Sequence, residues 1–204
     1  TKDVYFKDGA YSTERLKMQD KIIAELMKDV PAQSGRATAL ISGGLPGSGK
    51  GTVLGKRDLT DYVRGDSDEV KVRMDDYSGW NAGKMQKEAD DILVRLLERA
   101  TRENKNILID VTMKNPEKTL NIVMKMKDAG YSLEGVFVDS PMMMAMKRAV
   151  KRLFDTGRFV DPRYIAWHDA KNIKTFDDLR EFFRKWEKWD NSGERPVMVE
   201  SGGS

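Results

Sequence analysis

The stretch Ile41-Ser42-Gly43-Gly44-Leu45-Pro46-Gly47-Ser48-Gly49-Lys50-Gly51-Thr52 has the residue types and the spacing of a phosphate-binding loop. Glycines tolerate positive φ and leave backbone N–H groups uncovered, so successive amides can converge on phosphate oxygens while a following helix adds its positive end. Lys50 would reach the β- and γ-phosphates, and Gly44, Leu45, Pro46, Gly47, Ser48, Gly49, Gly51 and Thr52 would complete the cradle. The spacing Gly44-x4-Gly49-Lys50 is the Walker A pattern with one departure. The Ser or Thr that should follow the lysine is Gly51, and Thr52 comes one residue late.

Phosphoryl transfer also needs a base near the acceptor hydroxyl, a carboxylate for magnesium and cations over the moving phosphoryl group. Asp75 and Asp76 both stand where a carboxylate could orient and deprotonate an acceptor. Asp110 closes the apolar run Ile107-Leu108-Ile109 in the Walker B manner, to hold Mg2+ through water. With Gly51 unable to ligate, more of the magnesium shell would be water, and Thr52 would touch the ion, touch an outer phosphate or cap the helix. Arg148, Arg152 and Arg158 bracket Asp155-Thr156-Gly157, a short flap able to carry arginines over the phosphates. His168 is the only histidine and sits beside Trp167, so it reads as packing rather than as a metal ligand.

The elements that must hold these residues alternate between strand and helix. Thr13 to Val30 reads as a helix capped by Ser12 or Thr13, followed by a strand at Ala37 to Ser42 and a helix from Gly49 to about Asp58. Val70-Lys71-Val72-Arg73-Met74 alternates apolar and charged residues, which predicts a second strand ending on Asp75 and Asp76. A helix over about Gly83 to Asn104 precedes a third strand at Asn106 to Val111; Pro116 opens another helix, which Gly130 stops. A fourth strand at Leu133 to Val138 and a helix at Met142 to Phe154 follow, then a helix begun by Asp161-Pro162 and running to about Asn172. Phe176, Leu179, Phe182, Phe183, Trp186 and Trp189 recur at helical spacing from Thr175 to Asp190 and read as core. Pro196 to Val199 would supply a fifth, edge strand. This order implies an α/β domain with a mostly parallel five-stranded sheet covered on both faces, its ligands at the carboxyl ends of the strands.

Length and composition fit one domain of 204 residues. Lys plus Arg is 36 against 33 Asp plus Glu, and a net charge of +3 with interspersed signs gives no reason to expect nucleic acid. Without cysteine there is no disulfide, thiolate metal site or cysteine nucleophile. No apolar run approaches the roughly 20 residues of a membrane span, so a soluble, cytoplasmic protein is expected. Ser201 to Ser204 reads as a flexible tail, and the ends of the chain suggest a domain cut from something longer.

Taken together, GGLPGSGKGT, VKVRMDD, NILIDVTMKNPEKT, GYSLEGVFVDSP and KRLFDTGRFVDP resemble the zeta-toxin family of P-loop kinases, over about Thr13 to Val199. The resemblance implies a three-layer P-loop kinase-like sandwich with a short lid segment, and transfer of the γ-phosphate of ATP or GTP, with Mg2+, to a hydroxyl of a small molecule such as UDP-N-acetylglucosamine. It assigns Asp75 as the base, with Arg73 where the family has an acidic residue, and Lys50, Arg152 and Arg158 as the catalytic cations. Asp110, Thr112 and Lys114 match the family's third-strand positions, with lysine where an arginine is usual. The acceptor pocket is expected between Asp75, the helix around Glu88 and the loop from Thr112 to Lys114. An antitoxin-like inhibitor protein is also compatible with the resemblance. The Gly51-Thr52 pair resembles adenylate-kinase-like loops, which keeps a nucleoside, nucleotide or NAD kinase as an alternative, beside a non-catalytic nucleotide-binding module.

Overall fold

A computed structural model describes residues 1–157, 159–166 and 171–203; Arg158 and His168, both singled out above, lie outside the described residues. The chain opens with a one-turn helix α1 (Lys2–Tyr5) and a two-stranded hairpin, β1 (Phe6–Lys7) and β2 (Ala10–Tyr11), that the sequence reading did not anticipate. Its turn is Asp8-Gly9, both at positive φ (53° and 82°), a two-residue combination that matches the twist of the flanking strands. The hairpin is fastened to the rest by Tyr11, whose hydroxyl donates to Asp91 at 2.7 Å, and by Lys2, which pairs with the same carboxylate at 2.7 Å.

Helix α2 (Thr13–Met27) starts where the cap signal placed it, Ser12 Oγ accepting from the Arg15 amide. Then follow β3 (Thr38–Gly43), α3 (Lys50–Leu54), β4 (Tyr62–Gly65), α4 (Ser67–Lys71), α5 (Ala82–Arg102), β5 (Asn106–Asp110), α6 (Pro116–Asp128), β6 (Ser132–Asp139), α7 (Met142–Thr156), α8 (Pro162–Ala166), α9 (Lys171–Leu179), β7 (Lys185–Asp190) and β8 (Val197–Gly202). Among the described residues the main sheet has six strands in the order β4-β5-β3-β6-β7-β8, parallel except for the last. One face, carrying Ala39, Ile41, Ile107, Ile109 and Phe137, packs on α2, α5, α6 and α9. The other, carrying Leu40, Leu108, Val136 and Val138, is covered by Val53 and Leu54 of α3 and by Leu59. Each such buried aliphatic side chain contributes roughly 1.5–3 kcal/mol, which is why both faces of a parallel sheet need a helical layer.

The structure corrects two elements. The second strand is Tyr62–Gly65 and not Val70–Met74, because the latter belongs to α4 and the turn after it. Val70 and Met74 are 0% and 3% exposed while Val72 is 56% exposed, a contrast that a strand, with all three on one face, could not produce. The stretch was legible as a helix: Asp66 caps it by accepting from the Asp68 amide at 2.9 Å, and Asp68 and Glu69 fill its first turn.

The second correction concerns Thr175 to Asp190, where the helix stops at Leu179, passes through one 3-10 turn and becomes β7. Phe176 and Phe183 do reach the core, but the Arg184 amide donates to Leu133 O at 2.9 Å and commits the chain to the open edge of β6. Pairing of exposed strand groups outweighs local helical periodicity here. The expected edge strand at Pro196 to Val199 is β8, a sixth strand, and it runs on through Ser201 and Gly202, which pair with Glu187 and Trp186, so those two residues are not a flexible tail. Helix α3 ends at Leu54, short of Asp58, with Gly55 as its cap.

Candidate functional site

β3 delivers the glycine loop to the carboxyl edge of the sheet, and the loop's shape depends on absent side chains. Gly47 and Gly49 have φ of +84° and +96°, and a Cβ on them would come within 2.2 Å of Ala145 O and 2.1 Å of Asn191 Nδ2. The apolar side chain of Leu45 anchors the loop against Ala145, Ala149 and Ile165. Lys50 folds its ammonium over the loop, donating to Gly44 O at 2.8 Å and Leu45 O at 3.3 Å, with Asp110 Oδ1 at 3.8 Å. Ser48 Oγ is buried and has no hydrogen-bond partner among the described residues. A buried polar atom left unpaired costs about 1–3 kcal/mol, which an incoming phosphate oxygen would relieve.

Strand register decides which carboxylates stand beside this loop. Ser42 pairs with Asp110 across β3 and β5, and Gly65 pairs with Ile109 across β4 and β5, so Asp66 lies level with Asp110 on the next strand. Neighbouring strands are about 4.8 Å apart, which brings Ser42, Asp110 and Asp66 into one row at the strand ends. Ser42 Oγ donates to Asp110 Oδ1 at 2.8 Å, fixing that carboxylate, and the cap bond to the Asp68 amide fixes Asp66. Lys71, buried in α4, donates to Asp68 at 3.3 Å and to Gln86. Burial draws its ammonium below the ordinary 10.5, and the carboxylates of Asp90 and Asp66 oppose this only in part.

Asp75 loses the strand-end argument for its selection, since it ends no strand. It is exposed in the turn after α4 and makes no hydrogen bond or ion pair with a described residue. Asp76 is engaged by Arg15 at 2.9 and 3.3 Å. Burial would raise its carboxyl, but the Arg15 hydrogen bonds and charge more than reverse this and hold it below the ordinary 3.8. Glu88, expected in the acceptor pocket, is fully buried and accepts from Arg15 at 2.7 and 3.0 Å and from Gln19 at 2.9 Å. Both its oxygens are committed, which makes it a brace between α2 and α5 rather than a pocket wall.

Of the remaining candidates, Thr112 and Lys114 follow β5 on a loop bent by Met113, a buried residue at φ +56°. Such a conformation is costly for a side chain this large and is held by the fit of its sulfur against Gly43. Lys114 Nζ sits 3.7 Å above the ring of Tyr164. On α7, Arg152 has a buried Nη2 with no partner among the described residues. Arg148 is not a lid cation: its guanidinium donates to Ser140 Oγ at 3.1 Å and Asn191 O at 3.1 Å and lies 3.5 Å from Ser48 O.

The residues present fit a magnesium-bound nucleoside triphosphate. The cradle and the unpartnered Ser48 Oγ within it suit phosphate oxygens. The Asp110 carboxylate, with the exposed Thr52 hydroxyl on α3, is the sparse donor set that Mg2+ accepts when water and phosphate fill its octahedron. Among the described residues no group of three or more acidic, histidine or cysteine side chains stands ready for an all-protein metal cage.

The sequence matches the zeta toxin family over residues 23–195. The chain belongs to that family. Solved structures agree in fold. The PezAT chromosomal toxin–antitoxin system of Streptococcus pneumoniae superposes with a TM-score of 0.70 at 16% identity, over 94% of this chain and 82% of that one. The AvrRxo1-ORF1:AvrRxo1-ORF2 complex solved with sulphate ions gives a TM-score of 0.79 at 12% identity, covering 95% and 69%. The same complex solved with ATP gives 0.75 at 12% identity, covering 95% and 68%. No curated protein matches the chain. The chain is thus a P-loop phosphotransferase of the zeta toxin family. Among the described residues no helix is long and apolar enough to cross a membrane.

Asp66, level with Asp110, is a carboxylate that sequence reasoning did not single out. The signal was present, because Tyr62-Val63-Arg64-Gly65 is a short strand pattern followed by an Asp cap and acidic first-turn residues. The alternation in Val70 to Met74 drew the strand nine residues too far, a distance given by 75 − 66.

Proposed function

We propose that the protein transfers the γ-phosphate of ATP or GTP to a hydroxyl of a small-molecule acceptor of the nucleotide-sugar class, such as UDP-N-acetylglucosamine, with Asp66 as the base. The observation that carries this reading is the row of Ser42, Asp110 and Asp66 at adjoining strand ends beside the glycine loop. Asp66 takes the proton of the acceptor hydroxyl as its oxygen attacks the γ-phosphorus. The bond from that phosphorus to the β–γ bridging oxygen breaks, leaving the nucleoside diphosphate and a phosphorylated acceptor. Lys50 and the loop amides hold the β- and γ-oxygens, and the buried Arg152 Nη2 supplies positive charge to the transferring group. Magnesium, when bound by Asp110 and Thr52 with water, would neutralise charge on the phosphates.

Family membership supports the acceptor class, and the toxin–antitoxin and two-protein assemblies among the structural neighbours support a separate inhibitor protein as partner. Incubation with γ-labelled ATP and a metabolite extract, followed by identification of the labelled product, tests the reading. A labelled nucleotide sugar is expected, and label found only in free phosphate would overturn it. Asp66→Asn should lower kcat by about 10³-fold or more while keeping the helix cap, since asparagine caps as well as aspartate. Asp75→Asn should stay within a few-fold of wild type.

A further inference from the structure

We propose that Asn191, at the end of β7, is a positioning residue for nucleotide binding: its side chain, with Arg148, sets the orientation of the Ser48–Gly49 peptide in the glycine loop. The inference rests on reading that loop as a nucleotide cradle and adds a residue that no loop motif contains.

The observations are geometric. Asn191 Nδ2 donates to Ser48 O at 2.7 Å, and Arg148 Nη1 reaches the same oxygen at 3.5 Å. In a trans peptide the carbonyl and the N–H of one unit point in opposite directions, so holding Ser48 O toward Asn191 turns the Gly49 N–H away from it, toward the open side of the loop. That N–H is one of the donors a phosphate cradle requires. The amide of Asn191 also occupies the volume that a Cβ at position 49 would need, 2.1 Å away, so glycine and asparagine define each other.

Asn191 is in turn held rigidly. It is 5% exposed, its N–H donates to Asp139 O at 2.9 Å, and its carbonyl accepts from Arg148 Nη2 at 3.1 Å and from Ser140 Oγ at 3.3 Å. The ends of β6 and β7 and helix α7 therefore converge on a single loop carbonyl. Asn191 is buried while Arg148 is only partly so, and the two meet at the same loop carbonyl. Beside them, the unpartnered Ser48 Oγ points to an oxygen-rich ligand completing the loop.

The test is ATP affinity and steady-state kinetics of the full chain carrying Asn191→Asp, with Asn191→Ala as a second variant. Aspartate keeps the shape and the main-chain bonds but replaces the donor with an oxygen facing Ser48 O. Asn191→Asp, assayed at a temperature where circular dichroism shows it folded, should bind ATP about tenfold or more weakly, with KM for ATP raised and KM for the acceptor unchanged. Wild-type ATP affinity in Asn191→Asp, or equal rises in both KM values, would overturn the proposal. If Asn191→Ala fails to fold, the aspartate variant still decides the matter. If wild type itself does not bind ATP, the nucleotide reading fails, and the positioning role falls with it.

Discussion

The two halves of the site are built by different means. On the nucleotide side, one continuous segment supplies the backbone groups, and its support comes from the ends of β6 and β7, where Asn191, Ser140 and Arg148 tie the loop down. On the acceptor side nothing is continuous. Asp66 follows β4, Asp110 closes β5 with Thr112 and Lys114 on the loop behind it, Tyr164 comes from α8, and a buried lysine comes from α4. A phosphate can be held by amides that any sequence possesses, so glycine spacing suffices to announce it. An acceptor hydroxyl must be met by a carboxylate from elsewhere in the chain, and only strand register says which one.

The largest expected effect contrasts the two carboxylates. Asp66→Asn should remove nearly all transfer and Asp75→Asn very little, measured as product formation at saturating ATP; the reverse ranking would return the base to the turn after α4. Next comes the loop itself. Gly49→Ala forces a Cβ against Asn191 at φ +96°, and a loss of roughly 1–3 kcal/mol from backbone strain, appearing mainly as weakened ATP binding, is expected in a calorimetric titration.

A third pair of variants separates the helical from the strand reading of Val70 to Met74. Val70→Asp should destabilise by roughly 3 kcal/mol or more, because it buries an unpaired charge, whereas Val72→Asp should stay within about 0.5 kcal/mol. Equal effects in urea unfolding would restore the strand. The smallest effect concerns Asp76. Its folded carboxyl lies below 3.8, so the stability it contributes is present above that pH and is lost as pH falls through the lower folded value. Asp76→Asn should therefore cost roughly 1 kcal/mol at pH 7 and less on approaching pH 3, read from melting curves across that range.

Much of the fold was legible because its signals are local. Ser12 caps α2, Pro116 opens α6, and the apolar runs of β3, β5 and β6 are long enough to be read as buried parallel strands. The failures share one cause. Val70 to Met74 and Thr175 to Asp190 each carry a periodicity that suits two structures, and the choice was made by distant partners. α4 is selected by the surface that Val70 and Met74 bury, and β7 by the unpaired edge of β6.

By itself, then, the sequence determined the phosphate cradle, the alternation of strands and helices, and the family, because spacing along the chain is enough to specify backbone conformation and a buried strand. The tertiary structure alone decided that Asp66 and not Asp75 stands beside Asp110, that Glu88 braces α2 against α5, and that Arg148 serves the loop through Asn191. Those assignments depend on register and on hydrogen bonds between residues far apart in the chain, which no local pattern encodes.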